Sequence, residues 1–148
     1  MKKTSVLYQG YYVNPLSVLM ILKGAGYPER LLKTLPDGFH VTCDFLPEPE
    51  KIYPNDSMGS TKWLKLEVDA IGELRNDKGE LTNLALRVVN LNDEVTANPV
   101  PHITCWVGNG GKPVDSWKCE FNKPISAKVG ARRAVFDKKN RYGFKTRN

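Results

Sequence analysis

The chain holds two histidines, and each opens the same four-residue pattern: His40-Val41-Thr42-Cys43 and His102-Ile103-Thr104-Cys105. With Thr at 8 of 148 positions, a His-x-Thr match at both places arises by chance roughly once in several hundred trials. Each stretch follows a turn-forming run and opens an apolar, β-branched segment, which predicts a strand. On a strand, residues i and i+2 share a face, so His40 sits beside Thr42 and His102 beside Thr104. Imidazole takes or gives a proton near neutrality, and a hydroxyl can hold the non-bridging oxygens of a phosphate. Cleaving a phosphodiester needs a base for the attacking oxygen and an acid for the leaving one. Two such strands facing each other would supply both without a metal.

The elements that must position these residues are predominantly strands. Thr4 to Val13 reads as a first strand with Gly10 as a bulge or an end, and Asn14-Pro15 as a helix start carried on by Leu16, Leu19 and Met20. A short helical piece from Pro28 to Thr34 precedes the first motif strand, Phe39 to Leu46. The three prolines between Pro47 and Ser60 mark a loop, a candidate flap. Trp63 to Leu74 alternates apolar and charged residues. Asn76–Gly79 is a hairpin turn, and Leu84, Leu86 and Val88 continue the alternation on the return. Leu91–Pro101 leaves room for little more than a turn. His102–Val107 is the second motif strand, closed by Gly108–Gly111. Ile125, Ala127 and Val129 mark a last strand, with Gly130 as a bulge. The pattern predicts an α+β fold with antiparallel sheets and an N-terminal helical region.

Length and composition place the chain among ordinary single-domain proteins, with 41% hydrophobic and 26% charged residues. No apolar run approaches the roughly 18 residues that cross a bilayer, and the start has no signal-peptide core. Three cysteines without a disulfide spacing read as reduced thiols, which predicts a cytoplasmic protein. The net charge of +6 is carried by the stretch from Arg132 onward, which holds seven basic residues and one acid. Residues 1–136 are therefore expected to form one domain, acting as a monomer. Residues 137–148 then form a basic tail that suits an anionic partner such as nucleic acid.

The paired His-x-Thr motifs in this strand context resemble the 2H phosphoesterases. That superfamily includes LigT-like RNA cyclic phosphodiesterases, the phosphodiesterase domains of fungal tRNA ligases, and phage anti-CBASS nucleases acting on cyclic oligonucleotide messengers. The resemblance runs from Thr4 to about Val135. It implies a two-lobed, pseudo-symmetric fold, with His40 and His102 as the acid–base pair and Thr42 and Thr104 as phosphate-binding hydroxyls. The implied substrate is an RNA-like phosphodiester: a 2′,3′-cyclic phosphate end, a 2′–5′ linkage or a cyclic oligonucleotide. No cofactor or metal is required. Asp44 alternates onto the motif face, a departure that would set a carboxylate near the phosphate. Cys after each Thr, where the family favours a Leu-type residue, is a mild change.

Further candidates for substrate contact are Trp106, on the His102/Thr104 face, Tyr8 and Tyr12 near the start, and Lys112 and Ser116 after the second motif strand. Two other readings compete with the enzyme. One is a nucleotide or RNA binding module that retains the site without turnover. The other is a Cys₂His₂ zinc set made of His40, Cys43, His102 and Cys105, which strand alternation opposes because residues i and i+3 face opposite sides.

Overall fold

The computed structural model describes residues 6–36, 38–45, 63–90 and 100–137. Six strands carry the architecture: β1 (Val6–Val13), β2 (Phe39–Phe45), β3 (Leu64–Arg75), β4 (Leu81–Asn90), β5 (His102–Val107) and β6 (Glu120–Asp137). Helix α1 (Pro15–Gly24) and the one-turn α2 (Glu29–Leu32) lie between β1 and β2, and a 3-10 helix, Pro113–Lys118, lies between β5 and β6. The antiparallel α+β character holds. The two-lobed arrangement does not: the strands close into a single barrel in the order β1-β2-β5-β4-β3-β6. The closing step is β3 against β6, a long pairing from Leu64↔Ala131 to Glu73↔Glu120. Among the described residues each of the six strands thus has a neighbour on both sides.

The pseudo-symmetry survives inside the barrel. Adding three to each strand number, taking β1, β2 and β3 to β4, β5 and β6, reproduces the same neighbours. The local pairing repeats too. On β1/β2 the partners run Tyr12↔His40, Gly10↔Thr42, Gln9↔Asp44, so Cys43 is the extra residue of a bulge. On β4/β5 they run Arg87↔His102, Ala85↔Thr104, Leu84↔Trp106, and the extra residue is Cys105. Each motif's cysteine therefore occupies an equivalent bulge, where a small apolar side chain turns inward. Cys43 is 2% exposed and Cys105 fully buried.

Alternate strand positions fill one core that includes Tyr11, Val41, Leu66, Leu86, Ile103 and Val129. Val18 and Leu22 of α1 and Leu32 of α2 join it. Helix α1 starts where Asn14 caps it: the Asn14 side-chain oxygen accepts the Leu16 N–H at 3.0 Å, and Pro15 occupies the first turn. Between β3 and β4, the Asn76 side chain accepts the N–H groups of Lys78 and Glu80, each at 3.0 Å, and Gly79 takes φ +79°.

Two sequence expectations change. Gly130 is no bulge; it pairs in register with Lys65, and the β3/β6 shifts fall at Val68/Ala70 and Ile71/Glu73. Against β4, Val68↔Val88 is followed by Ala70↔Arg87, and this extra residue on β3 brings Ile71 into the core. Arg132 and Arg133 belong to β6, paired with Tyr12 and Tyr11, so the basic stretch begins within the barrel. The proposed flap, residues 91–99 of the connector and residues 138–148 of the basic tail lie outside the described residues, as does the Asp44 side chain.

Candidate functional site

The register decides whether the two motifs meet. Val41 pairs with Ile103 on antiparallel neighbouring strands, and both side chains point into the core. The flanking residues therefore point outward, with His40 across from Thr104 and Thr42 across from His102. The four make a rectangle on the face of the β2/β5 pair opposite the core, imidazoles on one diagonal and hydroxyls on the other. Diagonal neighbours on such a ladder lie about 7–8 Å apart. That span admits a phosphate between two rings. All four are half-buried and line one cleft of about 670 Å³.

The surroundings hold the imidazoles differently. His102 Nδ1 lies 2.6 Å from the Val100 carbonyl oxygen. A carbonyl only accepts, so Nδ1 carries the proton and Nε2 is left for the cleft. His40 is stacked on Tyr8, with ring centroids 4.7 Å apart at 26°. Desolvation in the cleft, with the charge of His102 adding to it, lowers the His40 pKa to about 4. Desolvation lowers His102 as well, opposed by its bond to Val100. Both rings are thus neutral at pH 7 in the free protein.

That shift carries a stability signature. The unfolded chain binds the His40 proton near 6.5 and the folded chain near 4, so between these values the unfolded state holds more protons. Stability is full above 6.5 and falls as pH drops through this window, losing about 2 kcal/mol by about pH 5. Urea unfolding at pH 7 and 5 should show this loss, and His40→Gln should reduce it. An equal loss in the variant would assign the pH dependence elsewhere.

The remaining sequence candidates divide. Tyr8 and Trp106 line the cleft. Trp106 donates its Nε1–H to Thr34 Oγ1 at 2.9 Å, and Thr34 Oγ1 donates to the Leu31 carbonyl at 2.8 Å. Tyr12 is paired with His40, but its ring lies 6.5 Å from that of Trp63 rather than over the cleft. Lys112 is exposed beside the 3-10 helix, and Ser116 is fully buried on the inner side of that helix. Neither lines the cleft. They serve instead as anchors: Asn83 Nδ2 donates to the Lys112 carbonyl at 2.9 Å and to Ser116 Oγ at 3.1 Å.

Sequence reasoning missed Val114 and Trp117, which line the cleft from the 3-10 helix. The signal was present in Lys112-Pro113-Val114-Asp115-Ser116-Trp117: Pro opening a turn, Asp within it, and two large apolar residues three apart. The zinc set is not assembled, since the thiols lie in the core while the imidazoles face the cleft. Among the described residues no group of three or more His, Cys, Asp or Glu is placed to hold a metal ion. No helix among them is long and apolar enough to cross a membrane. No family model, curated protein or solved structure matches the chain.

Proposed function

We propose that the chain is a metal-independent phosphodiesterase of the 2H type, acting on an RNA-like phosphodiester. The observation that carries this reading is the convergence of both His-x-Thr pairs on one cleft, at the centre of the strand pairing that relates them. The hydroxyls of Thr42 and Thr104 bind the two non-bridging oxygens of the phosphate and offset the charge that grows on them. His40, kept neutral by desolvation, acts as base toward the attacking water. His102, whose Nδ1–H is already held by a backbone carbonyl that favours the charged ring, acts as acid from Nε2.

In the step itself, water forms a bond to phosphorus while His40 takes its proton. The bond from phosphorus to the ester oxygen breaks, and His102 delivers a proton to that oxygen. A phosphomonoester and a free hydroxyl leave. His40 then releases its proton to solvent and His102 regains one. The pair needs one proton between its two rings, which gives a bell-shaped rate profile lying on the acid side of neutrality.

Nucleoside 2′,3′-cyclic phosphates, 2′–5′ linked dinucleotides and cyclic oligonucleotides, each incubated with the protein in EDTA, test the proposal. Turnover of at least one of them, unaffected by EDTA, is expected. Activity that disappears with chelation would refute it. Saturable binding without product would assign the cleft to a nucleotide-binding module instead.

A further inference from the structure

The rectangle of imidazoles and hydroxyls occupies only part of the cleft. The wall continues along β5 through Trp106 and Val107 to Pro113, Val114 and Trp117 of the 3-10 helix. This half is apolar, and its large residues stand out of the core: Val114 is 72% and Trp117 44% exposed. Water-facing indole and isopropyl groups beside a phosphate site are a cost unless a ligand covers them.

The Trp106 ring is held in place, and the backbone that carries Trp117 is anchored. Trp106 lies against Gly108, where a β-carbon would come within 2.4 Å of the ring, and its Nε1–H is tied to Thr34. Trp117 has the Lys118 ammonium 5.6 Å from its ring centroid. The helix carrying Trp117 is pinned to β4 by Asn83, which is fully buried. Past Thr34 the surface changes character. A neighbouring hollow of about 540 Å³ is lined by Arg30, Glu73, Arg75 and Glu80, among others. There Arg75 pairs with Glu73 at 3.0 Å. The apolar region is thus bounded by the phosphate rectangle on one side and by charged surface on the other.

We infer that this half of the cleft is a nucleobase subsite, walled by Trp106 and Trp117 with Val114 beside them, and that it takes the base of the nucleoside whose phosphate lies between His40 and His102. The inference rests on the phosphodiesterase reading for the phosphate, and on the indoles for the base. A flat, aromatic, weakly polar group suits a slot with two indoles, and stacking of this kind tolerates every base. The slot therefore selects nucleosides over bare sugar phosphates without choosing a sequence. Asn83 is a positioning residue for the helix that carries Trp117.

Calorimetry and indole fluorescence separate the base from the chemistry. Adenosine 3′-monophosphate is expected to bind at least about tenfold more tightly than ribose 5-phosphate and to quench indole emission. Trp117→Ala should remove that preference while leaving ribose phosphate binding unchanged, and Trp117→Phe should restore most of it. In turnover, Trp117→Ala should raise KM for nucleoside 2′,3′-cyclic phosphate about tenfold with kcat little changed, and spare glycerol 1,2-cyclic phosphate. Equal binding of the two phosphates, or a preference that survives Trp117→Ala, would overturn the subsite. Nucleotide binding lost with Trp117 but without any turnover would support the subsite and refute the hydrolase reading.

Discussion

Replacing His102 by alanine is expected to stop cleavage of a nucleoside cyclic phosphate, with kcat/KM falling by about 10³. The same protein should cleave a 4-nitrophenyl phosphodiester within about tenfold of the wild-type rate. The difference lies in the leaving group. A sugar hydroxyl must be protonated as its bond to phosphorus breaks, whereas nitrophenolate departs as a stable anion. His40→Ala should lose 10²–10⁴ on both substrates, because the attacking water needs its base in either case. The assignment follows from the Val100 carbonyl, which accepts from His102 Nδ1 at 2.6 Å and favours the charged ring, and from the desolvation that keeps His40 neutral. The opposite pattern would exchange the two roles. Equal losses on both substrates for both variants would show that leaving-group protonation is not separable in this site.

Gly10→Ala should lower the melting temperature by roughly 10 °C, corresponding to about 3 kcal/mol. A β-carbon at Gly10 would stand 1.9 Å from the Val41 carbonyl oxygen and 2.9 Å from the Cys43 amide nitrogen, and both are backbone atoms. They cannot step aside without opening the β1/β2 ladder at the Cys43 bulge, beside Thr42. Gly24→Ala is the control, since nothing lies within 4 Å of a β-carbon there and the residue is helical. It should melt within a degree or two of wild type, or slightly higher. Matching melting temperatures for the two variants would mean that β1 is not held against β2 as closely as the bulge requires.

How far the sequence foretold this arrangement depended on the range of the interaction. The Asn14-Pro15 helix start, the Asn76–Gly79 turn and the alternation of Leu64, Leu66 and Val68 are local, and each appears where its residues place it. So does the shared outward face of His40 and Thr42, because alternation needs only the strand. Barrel closure was not legible. It rests on β3 meeting β6, segments about sixty residues apart with no pattern that names the partner. The divergence of Tyr8 and Tyr12 was hidden too, since their rings go to different neighbours, His40 and Trp63. The repeated cysteine was visible but could not be explained. Only the register reveals that Cys43 and Cys105 are the extra residues of matching bulges. Val114 and Trp117 were missed because the cues in residues 112–117 mark a turn, while six residues of 3-10 helix do not reveal which surface their side chains face.

The matching bulges have a consequence for reaction direction. A phosphodiester has two ester bonds, and a rectangle of His, Thr, His and Thr about an approximate two-fold axis presents nearly the same face to each. Such a centre is ambidextrous. The Val100 carbonyl on His102 already breaks the tie at the imidazoles, and the positions whose symmetry mates differ break it around them. The pairing that sets Tyr8 beside Phe45 on one side sets Asn83 beside Val107 on the other. Tyr8 caps His40 with a phenol ring, while Asn83 carries a short helix and its indole toward the far end. In the proposed reaction, the choice of leaving oxygen is thus tied to differences on the flanking strands β1 and β4, Tyr8 against Asn83, which lie outside the repeated motif.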